Sequence, residues 1–352
     1  MTKPTRRRNK ETEAAEEKKI AKNALRRSWQ LHANKIRHPT IIQKPPPGRR
    51  FHYKTDASKF CRSLKPWATV LEKKEGESAT LVSERYVAYD DDENVLLAYY
   101  PKYLSEFIVS DVLITIYDLI REYPPPTPTD PRHTDWKSFC DMCGGQEFVG
   151  LYHFCTWFAQ GQETKPPCLS SDAGSTRTRR LSTVAKFIRS LAILTFTLTL
   201  LYRSLNYESW TTAMQVVSEV CARHGPSKTV RSGKWDAWTG RAVLANLPTH
   251  AHRDRGDWLH GLAAIACFGS FTGGEFVVFS LKVKFPFQPG DVVFINSSLF
   301  VHFVTDWKPA DFPDGKTGGR FSIVHFNHEN IVKWAMSDDQ SQSSGGGRVT
   351  AS

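Results

Sequence analysis

"FPFQPGDVVFINSS", Phe285 to Ser298, decides how the second half of this chain folds. Pro289-Gly290-Asp291 is a turn signal, because proline presets one dihedral, glycine admits positive φ and aspartate bonds its own backbone. The run "VVFI" that follows has the composition of a buried strand. The same pattern recurs on both sides. "RAVLANL" (Arg241–Leu247), "GLAAIACFG" (Gly261–Gly269) and "FTGGEFVVFSL" (Phe271–Leu281) come before it. "FVHFVTDW" (Phe300–Trp307) and "GRFSIVHFNH" (Gly319–His328) come after it. Short apolar strands at this spacing, separated by turn residues, predict a closed double sheet of the jelly-roll kind, a double-stranded β-helix.

The first half reads differently. "SEFIVSDVLITIYDLIREY" (Ser105–Tyr123) is a helix with Ser105 as its N-cap, ended by "PPPTPTDP". "ENVLLAYYPKYL" is a strand and turn, and "GLYHFCTWFAQG" (Gly150–Gly161) is apolar enough to be buried. "KPPCLSSDAGSTRTRRLS" (Lys165–Ser182) reads as a polar loop carrying Arg177, Arg179 and Arg180. "ESWTTAMQVVSEVCARHG" has helical periodicity and stops at Gly225. The expected class is α+β. It comprises a basic arm at 1–50, a supporting part at 51–205, the β-helix core at 206–336 and a low-complexity tail at 337–352.

Of the 47 Lys/Arg, fifteen lie in residues 1–50, against four of the 36 Asp/Glu. That excess of 11 equals the net charge of the whole chain, so the remaining body is neutral. An arm of this kind, with Arg6, Arg7, Arg8, Arg26 and Arg27, suits phosphate backbones or import receptors, which points to nucleic acid and the nucleus. The Arg177, Arg179 and Arg180 cluster is a second candidate for phosphate contact.

Seven cysteines, an odd number in a chain of 352 residues, point to a reducing compartment. Cys140-x-x-Cys143 with His153 and Cys155 nearby is a weak zinc signal, and isolated thiols are its plainer reading. The N-terminus has no apolar core and is not read as a signal peptide. "LAILTFTLTLLY" (Leu191–Tyr202) is too short to span a bilayer and reads as a buried helix or strand, so no membrane partner is expected.

"THAHRDRGDW" (Thr249–Trp258) raises the chemical question. His252 and Asp254 stand two apart, and His302 follows on the strand behind the Pro-Gly-Asp turn. Arg320 and Ser322 open the last strand and share one of its faces. Two imidazoles and one carboxylate on one side of a ferrous ion leave positions open for a 2-oxo acid and O2. A buried arginine would hold the distal carboxylate of that acid bidentately, with a hydroxyl beside it. His250 is a rival ligand. His325 is turned to the opposite strand face by alternation, and His328 lies beyond the strand end, so both read as surface or core residues.

His252-x-Asp254, "GGEF" (Gly273–Phe276), "FQPGDVVFINSS" (Phe287–Ser298), His302 and Arg320-x-Ser322 together resemble the Fe(II)/2-oxoglutarate-dependent dioxygenases. The resemblance covers residues 235–330. Within that superfamily, "NLPTHAHRDRGDW" and "FQPGDVVFINSSLFVHFV" are most similar to the TET/JBP-like branch, which includes many fungal members. It implies His252, Asp254 and His302 as iron ligands and catalytic residues. It also implies Arg320 and Ser322 for 2-oxoglutarate, with Asn246 on the pocket wall. The implied activity is hydroxylation of a C–H bond with 2-oxoglutarate going to succinate. In this branch the bond belongs to the methyl of 5-methylcytosine or thymine in nucleic acid, a base that must leave the stack. The same chemistry on a protein side chain or small molecule, and an inactive fold serving as a DNA- or chromatin-binding protein, stay open.

Overall fold

The computed structural model describes residues 78–337, apart from 91–92, 134, 160, 163–164, 175–177 and 312–317, and the backbone of strands at 40–44 and 51–54. Arg6, Arg7, Arg8, Arg26, Arg27 and Arg177 lie outside the described residues, as does the tail beyond 337.

The chain opens with β1 (Thr40–Lys44), β2 (Phe51–Lys54), β3 (Thr80–Leu81), β4 (Tyr86–Tyr89) and β5 (Val95–Tyr100). Helix α1 (Glu106–Glu122) begins where Ser105, in an extended conformation, accepts a bond from the Ile108 amide. That bond satisfies one of the donors orphaned in the first turn. A short α2 (Trp136–Met142), β6 (Gly150–Trp157) and β7 (Cys168–Leu169) follow. Then come α3 (Thr178–Ser190), α4 (Ala192–Leu205) and α5 (Tyr207–Arg223). The remainder is mostly strand: β8 (Gly240–Ala245), β9 (Ala263–Gly269), β10 (Phe271–Gly273), β11 (Phe276–Val278) and β12 (Val283–Phe285). After these run β13 (Val292–Ile295), β14 (His302–Val304), β15 (Trp307–Pro309) and β16 (Arg320–Phe326), closed by α6 (Glu329–Met336).

One sheet holds ten strands in the order β2-β1-β4-β5-β13-β9-β16-β8-β6-β7, and a second holds β14-β11-β12-β3. Strand periodicity sorts the core into two layers. In β16, Phe321, Ile323 and His325 face the helices, while Arg320, Ser322, Val324 and Phe326 face the space between the sheets. β6, β8 and β9 alternate in the same way, with Tyr152, Val243 and Ala264 outward and Leu151, Ala242 and Ala263 inward. α1, α3, α4, α5 and α6 cover the outer face through Ile116, Phe187, Leu198, Val216 and Ile331, all 3% exposed or less. These are the faced sheets and helical cover of a jelly-roll core.

Three features differ from the sequence reading. Arg179 and Arg180 belong to helix α3 rather than to a loop. The sequence reading does not anticipate β12, β15 and α6, nor β1, a main-sheet strand at the end of the stretch read as a disordered or helical arm. They are short, and β12 and α6 mix charged and apolar residues. The segment 51–205 does more than support the core, since β4, β5, β6 and β7 are strands of its main sheet. Among the described residues no single helix is long and apolar enough to cross a membrane.

Candidate metal centre

β8 ends at Ala245, and Asn246 then turns the chain off the sheet at φ +52. The loop that follows rejoins the fold at His252. There the His252 amide donates to the His302 carbonyl at 3.1 Å, and the His302 amide donates back at 2.9 Å. Residues directly opposite in such an antiparallel pair point to one face. The sequence placed His252 and Asp254 on a strand end; this isolated bridge is all of a strand that is present. Asp254 is fixed next, its amide donating to the Ser297 carbonyl at 3.0 Å.

The ligand atoms of His252, Asp254 and His302 lie within 4.8 Å of one another, and this is the only such group of three among the described residues. Asp254 Oδ1 is 3.7 Å from His252 Nε2, and Oδ2 is 3.7 Å from His302 Nε2. His252 Nδ1 faces the His250 carbonyl at 2.8 Å, and His302 Nδ1 faces the Phe300 carbonyl at 3.1 Å. A carbonyl only accepts, so each Nδ1 carries the proton and each Nε2 presents a lone pair to the site. Burial, with His302 and Arg132 nearby, pushes the His252 imidazole down to about 3. Burial pushes the Asp254 carboxyl up, but the imidazoles and Arg132 outweigh it and hold it below its ordinary value. Two imidazoles and a carboxylate form the donor set that suits a divalent iron.

Arg320 is 4% exposed, and its Nε and Nη2 have no hydrogen-bond partner among the described residues. The guanidinium lies over Phe271 and Phe287 at 5.3 and 5.5 Å. Burial pulls its pKa down. Gly274 leaves it room, since a Cβ there would stand 3.0 Å from Nε. A buried cation with unmatched donors is costly unless something anionic meets it. Arg320 and Ser322 line the same cavity as the triad. That cavity, of about 400 Å³, is walled by Leu244, Ile265, Phe276, Phe287 and Val304 among others.

Not every expected residue reaches it. Asn246 does not line the cavity wall. Its Nδ2 donates to the Phe148 carbonyl at 3.0 Å and its Oδ1 accepts from the Arg320 amide at 2.8 Å, so it braces the start of β16. His250 turns its ring to Asp135 at 3.2 Å, and its carbonyl orients His252. His325 is fully buried on the helical face beside Trp238. His328 is neither core nor open surface but a cavity-wall residue, 3.4 Å from Asp257 Oδ1. Arg179 pairs with Glu122 at 2.7 Å, and Arg180 stacks over Tyr123 at 4.1 Å, so both sit on the helical layer and line no part of this cavity. Cys140 and Cys143 are free thiols pushed up by burial, Cys143 to about 12, and neither joins a ligand group.

The sequence reading missed the contribution of the first half. Asp130, Arg132, His133, Leu151, His153 and Trp157 all line the cavity. Alternation in "GLYHFCTW" could have marked Leu151, His153 and Trp157 as one face, but nothing in the sequence says what that face meets. Asp257, between Ser297 Oγ at 2.7 Å and His328, is a further polar group on the wall. Burial and the nearby Asp254 push its carboxyl up, against the bonds from His328 and Ser297.

Residues 179–329 match the Tet_JBP family model, described as the oxygenase domain of the 2OGFeDO superfamily. No curated protein matches the chain. Among solved structures it is similar to NgTET1 in complex with 5mC DNA, at 13% identity and TM-score 0.44 over 76% of this chain and 90% of that one. It is similar also to OsALKBH1, at 12% identity and TM-score 0.34 over 65% and 97% of the two chains. A bsmA homolog from Methylobium petroleophilum PM1 matches at 10% identity and TM-score 0.25, over 66% and 88%. The donor set suits ferrous iron and 2-oxoglutarate chemistry, and with the Tet_JBP oxygenase domain matched at residues 179–329 it makes this chain a dioxygenase that uses Fe(II) and 2-oxoglutarate.

Proposed function

We propose that the enzyme oxidises the methyl group of a pyrimidine base, 5-methylcytosine or thymine, presented by nucleic acid. His252, Asp254 and His302 would hold the iron, and Arg320 with Ser322 the 2-oxoglutarate. Bound together, these groups supply oxygen insertion into a C–H bond, with O2 consumed and 2-oxoglutarate leaving as succinate and CO2.

The protein's own residues do the rest. The carbonyls of His250 and Phe300 hold both imidazoles in the ligating tautomer. Arg320 would meet a carboxylate through Nε and Nη2, which have no partner among the described residues. Apolar walls such as Ile265, Phe276 and Val304 keep the reacting carbon out of bulk water. The observation that carries the base reading is the cavity itself. Its about 400 Å³ lies in the range of small-ligand sites, with mostly apolar walls and a few polar groups, Asp257 and His328 among them, to orient a flat heterocycle. The Tet_JBP match of residues 179–329 supports the same reading. We place phosphate contact on the basic arm, which would also direct the protein to the nucleus, and the arm predicts salt-sensitive binding.

The test incubates the protein with Fe(II), 2-oxoglutarate and, separately, methylated DNA, thymine-containing DNA and a peptide pool. Mass spectrometry then looks for the mass of one added oxygen. A hydroxymethyl base, lost in Asp254→Ala and His302→Ala, is the expected result. Succinate with an oxidised peptide and no oxidised base would sink the base reading while leaving the dioxygenase intact.

A further inference from the structure

The turn at Pro131–His133 is fastened to the loop that carries two members of the triad. The His250 amide donates to the Arg132 carbonyl at 3.0 Å, and His133 Nδ1 meets the Pro248 carbonyl at 2.6 Å. His250 Nε2 lies 3.2 Å from Asp135. At the centre, Arg132 Nη1 donates to Asp254 Oδ1 at 2.6 Å, across 122 residues of sequence. Its other terminal nitrogen, Nη2, is 2.8 Å from Asp130 Oδ2, and Asp130 Oδ1 accepts from the Arg132 amide at 2.9 Å. The guanidinium is therefore a strut with both ends engaged.

Resting on the iron-site reading above, we propose that Arg132 is a positioning residue for Asp254. It holds one carboxylate oxygen and leaves Oδ2, the oxygen on the His302 side, for the metal. The backbone of Asp254 does not need this contact, because its amide is bound to the Ser297 carbonyl and its carbonyl to the Asp257 amide. Rotation of the carboxyl group is the freedom left for Arg132 to remove. Two effects compete. A cation beside a ligand repels a divalent metal, whereas an oriented ligand binds it better. Asp130 offsets the charge of Arg132, so orientation governs the sign. Losing such an outer contact weakens metal binding about 10–100-fold in comparable sites.

Co(II) is titrated into the metal-free, full-length protein, with occupancy and ligand field read from its visible absorption. The wild-type chain takes one equivalent, and His302→Ala loses it. Arg132→Gln is expected to bind about 10–100-fold more weakly, with a shifted visible band and an unchanged melting temperature without metal. Arg132→Lys, a point donor that cannot span two carboxylates, recovers part of the affinity. Asp130→Asn keeps the guanidinium but loosens its outer end. It is expected to weaken binding several-fold, which tests the strut even if Arg132→Gln fails to fold. Arg132→Gln or Asp130→Asn binding Co(II) as tightly as wild type, or more tightly, overturns the proposal. Wild-type protein that binds no Co(II), or binds it regardless of His302, overturns the iron-site reading and the strut with it.

Discussion

A guanidinium in a cavity wall with two donors unmatched destabilises the protein whenever its ligand is absent. Replacing Arg320 by Met should therefore raise the stability of the ligand-free protein by roughly 1–3 kcal/mol. The same change should weaken 2-oxoglutarate about 10–100-fold, the loss expected for charge-assisted bonds of that size. Thermal unfolding with and without 2-oxoglutarate checks both halves. Arg320→Met should need about 10–100-fold more ligand than wild type for the same gain in stability; a variant that responds at the wild-type concentration would place the anchor elsewhere. Arg320 and Ser322 were legible in the sequence because they sit two apart on an alternating strand. Asn246 was legible as important but not as a backbone brace, since its role depends on a left-handed φ and on Phe148, 98 residues away.

Strand β16 carries two jobs on its two faces, and mutation should separate them. Phe321 is buried on the helical side, its ring 5.3 Å from that of Tyr117 of α1. Phe321→Ala should remove about 3–5 kcal/mol, because the packed layer cannot close over the hole. Val324 faces the cavity, so Val324→Ala enlarges a space that already exists. Its stability loss should be smaller and its effect on substrate KM larger. Chemical denaturation and steady-state kinetics on the two variants test this, and equal stability losses would contradict the two-layer description. Strands β8, β9, β11, β13, β14 and β16 were readable from turn residues and short apolar runs. β12 was not, because a three-residue strand with a lysine at its centre is held by its partners β11 and β3 rather than by propensity.

Several buried imidazoles couple the whole fold to pH. His325 is fully buried, and burial together with Arg241 holds its pKa well below the usual value. In the unfolded chain the same ring takes a proton below about pH 6.5, while in the native state it does not. The unfolded state then binds more protons, so stability is complete above pH 6.5 and falls as the pH drops below it. The limiting slope is about 1.4 kcal/mol per pH unit for each such group. Melting of the metal-free protein from pH 8 to 5 should show this loss, and His325→Gln should make it shallower. An unchanged slope would remove His325 from the account. Strand periodicity and turn residues marked the jelly-roll core, and the resemblance carried by His252, Asp254, His302 and Arg320 implied its chemistry, because strand alternation and residue type are written in the sequence itself. Which residues from the first half complete the cavity was decided only by folding. The Arg132–Asp254 contact joins two irregular turns through side-chain geometry, and no periodicity records a meeting of that kind.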